Sequence, residues 1–150
     1  MTESFPQSIK TAVNPGNAAP SPLGSYSHAL QVGNLLFISG QGCRNAETGI
    51  EAGLTLGPAG EILAYDIEVQ TQGVLENLGN VLKAAGLGFT DVVDVTVFLA
   101  DMADFEKYNK VYSLYFSIAV PPCRTTVQVA KLPGRNFIEI KAIAAFTSAS

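Results

Sequence analysis

The stretch Asp91-Val92-Val93-Asp94-Val95-Thr96-Val97-Phe98-Leu99-Ala100 decides the fold. Val93, Val95, Val97 and Leu99 alternate with Val92, Thr96 and Phe98, the pattern of a strand buried on at least one face. On its N-terminal side, residues 65–85 place Ile67, Thr71, Val74, Leu75, Leu78, Val81, Leu82 and Ala85 at the three-and-four spacing of an amphipathic helix. Asp66 is its expected N-cap and Gly86 its end. On the other side, a second helix is expected from Asp104, with Phe105, Tyr108, Tyr112, Tyr115 and Phe116 along one stripe and Glu106 set to pair with Lys110 at i,i+4. Two further strands, at 124–130 and 137–146, close the chain.

Upstream, residues 27–32 and 34–39 read as a hairpin turned by Gly33-Asn34. Residues 40–60, rich in Gly, Asn, Thr and Pro, predict either a short strand near 50–56 or a long functional loop. Residues 1–23 carry Pro6, Pro15, Pro20 and Pro22 among Ser, Asn and Ala, which predicts an irregular arm before a single domain at 24–150. The resulting order, ββ(β)αβαββ, predicts an α+β fold: one mixed sheet with both helices packed on one face. Its other face, still rich in Val and Ile, then needs a cover.

Composition points the same way. In a chain of 150 residues, 47% are apolar and only 15% charged, against about 25% charged in typical globular domains. That is too little charge to coat a monomer, so a homo-oligomer with apolar interfaces is expected. The net charge of −4 offers no basic stripe to nucleic acid. No apolar run has the length to span a bilayer, and the first ten residues lack the layout of a secretory signal, so a cytoplasmic protein is expected. Cys43, Cys123 and the lone His28 offer no metal-ligand spacing, and free buried or interfacial thiols are the plain reading.

Two charged residues sit inside strand patterns: Arg124, in Pro122-Cys123-Arg124-Thr125-Thr126-Val127, and Glu139, in Ile138-Glu139-Ile140-Lys141. An unpaired charge out of water is costly, so each needs a partner or a task. The Arg124 guanidinium forks to match a carboxylate and suits an anchor for an acidic small molecule. A carboxylate between Ile138 and Ile140 would have its pKa pushed upward, toward general acid/base use. The alternative is structural: Arg124 and Glu139 paired with each other, or Glu139 paired with Lys141. Tyr26 stands at the edge of the first strand, where a phenol can gate a pocket or simply pack. Asn109 lies on the second helix, where its amide could touch a ligand or the solvent. His28 has no adjoining nucleophile motif. Ser39-Gly40-Gln41-Gly42 lacks the spacing and the lysine of a phosphate loop.

Taken together, these residues resemble the RidA/YjgF superfamily from Gly24 to Phe146. The motifs are Gly24-Ser25-Tyr26-Ser27, Leu36-Phe37-Ile38-Ser39-Gly40-Gln41, Val95-Thr96-Val97-Phe98-Leu99, Tyr108-Asn109-Lys110-Val111-Tyr112, Pro122-Cys123-Arg124-Thr125-Thr126-Val127 and Ile138-Glu139-Ile140-Lys141-Ala142-Ile143-Ala144. The resemblance implies a chorismate-mutase-like fold and a homotrimer with clefts at its interfaces. It also implies hydrolytic deamination of enamine or imine carboxylates without metal or organic cofactor. In that reading Arg124 binds the carboxylate, Glu139 positions the water, and Tyr26, Ser39, Asn109 and Thr126 complete the pocket, with Arg124 and Glu139 facing a common crevice. Thr126 stands where many relatives carry a cysteine. The long segment 41–69, with Cys43-Arg44-Asn45-Ala46, looks more like the 2-aminomuconate deaminase branch, which makes Arg44 a candidate for a second carboxylate. The rival readings are a metabolite-binding or chaperone-like trimer without chemistry and, against the acidic charge, an endoribonuclease.

Overall fold

The computed structural model describes residues 9–147. Its main sheet has six strands in the order β1-β2-β3-β8-β6-β7. They are β1 (Lys10–Val13), β2 (Ala29–Val32), β3 (Leu35–Gln41), β6 (Val92–Leu99), β7 (Cys123–Gln128) and β8 (Ile138–Ala145). Only β6 and β7 run parallel, joined by the crossover through α2 (Phe105–Phe116). All other neighbours are antiparallel, so the sheet is mixed, as expected. A two-stranded hairpin, β4 (Leu54–Leu56) with β5 (Ile62–Tyr65), stands apart and leads into α1 (Ile67–Ala84).

Local signals explain the elements. Val32 opposes Leu35 across a two-residue turn, and Gly33 takes φ +60, a conformation that costs glycine little. Asp66 accepts hydrogen bonds from the N–H groups of Glu68 and Val69, capping α1. Val74, Leu75, Leu78, Val81 and Leu82 of α1 are fully buried against the sheet, where Leu36, Ile38, Val95, Val97, Ile138 and Ile140 face them. Tyr108, Tyr112 and Phe116 of α2 enter the same core, so both helices cover one face.

Four details differ from expectation. Residues 10–13 of the expected arm form the edge strand β1, registered against β2, because strand pairing outweighs weak local propensity. The first eight residues of that arm lie outside the described ones. The long segment 40–60 does hold one short strand within the expected 50–56, β4, but it pairs with a strand that was not expected, β5, just beyond the segment. Val93 is 42% exposed, because a register shift between Val92 and Asp94 turns it away from the core. Lys110 pairs with Glu68 of α1 at 3.1 Å rather than with Glu106, since α1 brings a carboxylate beside it.

The face away from the helices is apolar in part. Phe37, Val93 and Val127 are each about two-fifths exposed there, with Phe98 and Ile143 half-buried beside them.

A buried polar pin fixes the start of β8. Gln70 is fully buried on α1; its Nε2 donates to the carbonyls of Ala52 and Arg135, and its Oε1 accepts from the Phe137 N–H at 2.8 Å. Gln70→Leu strips partners from all three backbone groups and should destabilise the protein by about 3 kcal/mol. Urea unfolding at unchanged slope reads that loss as a lower midpoint, and an unmoved midpoint would remove Gln70 from this role.

Candidate functional site

Strand order separates the two charged candidates. β6 lies between β7 and β8, and Arg124 registers with Val95 while Glu139 registers with Phe98. Val95 is buried beneath the helices, so Arg124 emerges on the helix side. Glu139 alternates with the buried Ile138 and Ile140 and therefore points to the other side. Within the chain the two do not share a crevice, contrary to expectation, nor do they form an ion pair. Among the described residues Glu139 carries no pairing with Lys141 either, and the two ion pairs found are Lys110–Glu68 and Arg135–Glu51.

The arginine half is built on α2. Arg124 Nη1 donates to Asn109 Oδ1 at 2.7 Å, and its guanidinium carbon lies 4.6 Å from the Tyr112 ring centre and 5.7 Å from those of Phe105 and Tyr108. The aromatic faces hold the cation in one orientation. One donor is used and the others remain for a ligand in a groove of about 420 Å³ lined by Asn109, Tyr112, Pro121, Pro122 and Arg124. Burial pushes the Tyr112 phenol up to about 12, against the lowering effect of Arg124, so the ring stays neutral. Thr126, expected against substrate, instead hydrogen-bonds Tyr108 behind the guanidinium and does not line this groove.

The glutamate half opens between β8, the loop after β3 and the arm. Glu139, Tyr26, Gly40 and Arg44 line a cavity of about 300 Å³, roofed by Pro20, Ser21, Pro22 and Leu23. Three contacts seat that roof: His28 Nε2 with the Pro20 carbonyl at 2.8 Å, Arg44 Nη2 donating to the Ser21 carbonyl at 2.6 Å, and the Leu23 N–H donating to the Tyr26 hydroxyl at 3.2 Å. Glu139 has no hydrogen-bond partner among the described residues, and burial raises its pKa above the ordinary carboxylate value of 4.5. Ser39 lines an adjoining hollow that shares Tyr26, and its hydroxyl donates to the Ser27 carbonyl at 2.6 Å.

Several contributors were not read from the sequence. Asn136 lines the glutamate cavity, and its Oδ1 accepts from the Cys43 N–H at 2.9 Å. Asn77, 8% exposed, donates to the carbonyls of Gly42 and Arg44. Their signal was present: Gln70 and Asn77 are amides lying along the apolar stripe of a helix. Burial pushes the Cys43 thiol up to about 11, in keeping with a resting structural cysteine.

A family model described as Endoribonuclease L-PSP matches residues 16–146. The chain belongs to this family, the RidA/YjgF family. Reactive Intermediate Deaminase A, chloroplastic, of Arabidopsis thaliana is 41% identical over 137 residues, covering 91% of this chain and 67% of its own length. The 2-iminobutanoate/2-iminopropanoate deaminase of Mus musculus is 40% identical over 126 residues, 84% of each. The crystal structure of the YjgF gene product from E. coli superposes with a TM-score of 0.77 at 34% identity, covering 90% of this chain and 98% of that one. The fold of this RidA/YjgF protein is therefore that of its solved relatives, and its sequence relatives include one named as a reactive intermediate deaminase and one named as an imine deaminase. Among its described residues no helix is long and apolar enough to cross a membrane.

Gly40 leaves the room that Glu139 occupies: a Cβ there would lie 2.9 Å from the Glu139 carboxyl carbon. Gly40→Ala should displace the flexible carboxylate at small stability cost, and any turnover that uses Glu139 should then fall at least about tenfold, since misplacement of about 1 Å can cost a hundredfold. A variant crystal structure with Glu139 unmoved, or turnover equal to wild type, would contradict this.

Proposed function

We propose that this protein hydrolyses reactive 2-imino or 2-enamino carboxylates to the keto acid and ammonia, in clefts between copies of the chain. The observation that carries the reading is complementarity: an oriented guanidinium with free donors on one face, and a half-buried carboxyl without a partner on the other. An assembly that sets the Arg124 groove of one copy against the Glu139 cavity of the next satisfies both and covers the apolar sheet face. A homotrimer with three such clefts is the form we propose.

The chemistry follows from these groups. Arg124 grips the carboxylate beside the C=N bond and holds the imine carbon in place. Glu139 takes a proton from water as the water oxygen bonds to that carbon and passes the proton to the imine nitrogen, giving a neutral carbinolamine. The carbinolamine hydroxyl then gives its proton by way of Glu139 to the same nitrogen, so that the C–N bond breaks, ammonia leaves, the C=O bond forms and Glu139 is ionised again. Orientation supplies most of the acceleration, because an imine is already reactive toward water. The acidic chain, with net charge −4, supports a small-molecule substrate over a polynucleotide.

Three measurements test the roles. Arg124→Lys keeps the charge but loses the two-pronged grip, and kcat/KM for 2-iminobutanoate should fall at least about tenfold. Wild-type kinetics in that variant would remove Arg124 from the role. Burial raises the Glu139 pKa above the ordinary carboxylate value, so the acid limb of kcat should lie above 4.5. Turnover is then lost as pH falls through that limb, because a protonated acid accepts no proton from water. Glu139→Gln should abolish turnover, and a wild-type limb below 4.5 would contradict the assignment.

A further inference from the structure

The Arg124 groove holds a hydroxyl that no other described residue answers. Three tyrosines spend theirs inside the chain: Tyr65 donates to Asp104 Oδ2 at 2.7 Å, Tyr108 pairs with Thr126, and Tyr26 accepts from the Leu23 N–H at 3.2 Å. Tyr112 differs. It is only 7% exposed, and a phenol so deeply placed ordinarily finds a partner, yet its hydroxyl has none among the described residues. No side-chain oxygen or nitrogen there is both sealed from solvent and unpaired, so this hydroxyl reaches an opening, and the opening Tyr112 lines is the groove of Arg124.

The ring that carries it is fixed. Its centre lies 4.6 Å from the Arg124 guanidinium carbon, and Phe116 stacks on it at 4.4 Å between centres with 25° between the planes. Tyr108 meets it at 6.3 Å and 76°. With its pKa pushed up to about 12, the phenol stays protonated at neutral pH and is a donor. Among the described residues lining the groove there is no carboxylate to take that proton or to neutralise Arg124. A fixed cation with spare N–H donors and a fixed O–H donor beside it form a receptor for one anion.

We infer that the Tyr112 hydroxyl is a second donor to the substrate carboxylate, completing the grip that Arg124 begins. This rests on the Arg124 anchor of the proposed deaminase and adds a binding residue to it. The carboxylate keeps its charge while water attacks the neighbouring carbon, so the phenol holds substrate and transition state alike and acts on KM rather than on kcat.

Tyr112→Phe removes one oxygen and keeps the ring against Arg124 and Phe116. Calorimetric titration of the purified oligomer with 2-oxobutanoate should show at least about tenfold weaker binding, the factor a hydrogen bond to a charged group supplies. KM for 2-iminobutanoate should rise by a similar factor while kcat stays within about twofold. The tyrosine ultraviolet difference spectrum that 2-oxobutanoate produces in the wild type should shrink in the variant. Unchanged affinity, a fall in kcat with KM unmoved, or weaker binding matched by a lower urea midpoint overturns the inference and leaves the deaminase reading intact. Wild-type protein that binds 2-oxobutanoate through Tyr112 but hydrolyses no imine overturns the deaminase reading alone, and wild-type protein that does not bind 2-oxobutanoate overturns both.

Discussion

The pleat of the sheet, with β6 inserted between β7 and β8, is the constraint on which the rest of the structure depends. Because neighbouring residues of a strand point to opposite faces, register alone decides which side receives a charge. Arg124 beside Val95 is sent to the helices, and Glu139 beside Phe98 to the open face. Shifting either strand by one residue would exchange a core position for a charge, and burying that charge unpaired costs more than the shift could return. The separation of the two groups is therefore built into the packing of the core.

That separation gives the apolar outer face a meaning. Phe37, Val93 and Val127 are exposed on a chain with few charges to spare, and burying such a patch between copies is favourable at about 25 cal/mol per Å². The same contact can bring an oriented cation to a partnerless carboxyl. In the proposed assembly each half is prepared in advance: rings and Asn109 aim Arg124, while Gln70, Asn77 and the Arg135–Glu51 pair fix the loops around Glu139. Preparation of this kind leaves little reorganisation for the reaction itself.

Much of this was legible in the residues. Alternation from Asp91 to Leu99, the Asp66 cap and the Gly33-Asn34 turn are local signals, and local signals gave the helices, the hairpin and the α+β class. Arg124 and Glu139 stood out because a charge in a strand pattern needs a reason. Tyr26 and Arg44 were placed in the Glu139 cavity, and Asn109 beside Arg124. What escaped was non-local. Strand order between β8, β6 and β7 is not written in any one segment, so it was not foreseen that Arg124 and Glu139 leave opposite faces of the sheet within one chain. Edge pairing of β1 depends on β2, and the aromatic cradle on where α2 crosses β7. Thr126 and Ser39 were expected against a ligand, but their hydroxyls answer Tyr108 and Ser27, partners far away in sequence.

The most direct test of a site shared between chains is subunit mixing. Arg124→Ala and Glu139→Gln proteins, each inactive alone, would be unfolded together, refolded in equal amounts and assayed for imine hydrolysis. If the two groups come from different copies, random assortment restores about one quarter of wild-type sites. If mixing restores no turnover although both variants co-assemble, the two groups do not act across an interface and the account fails.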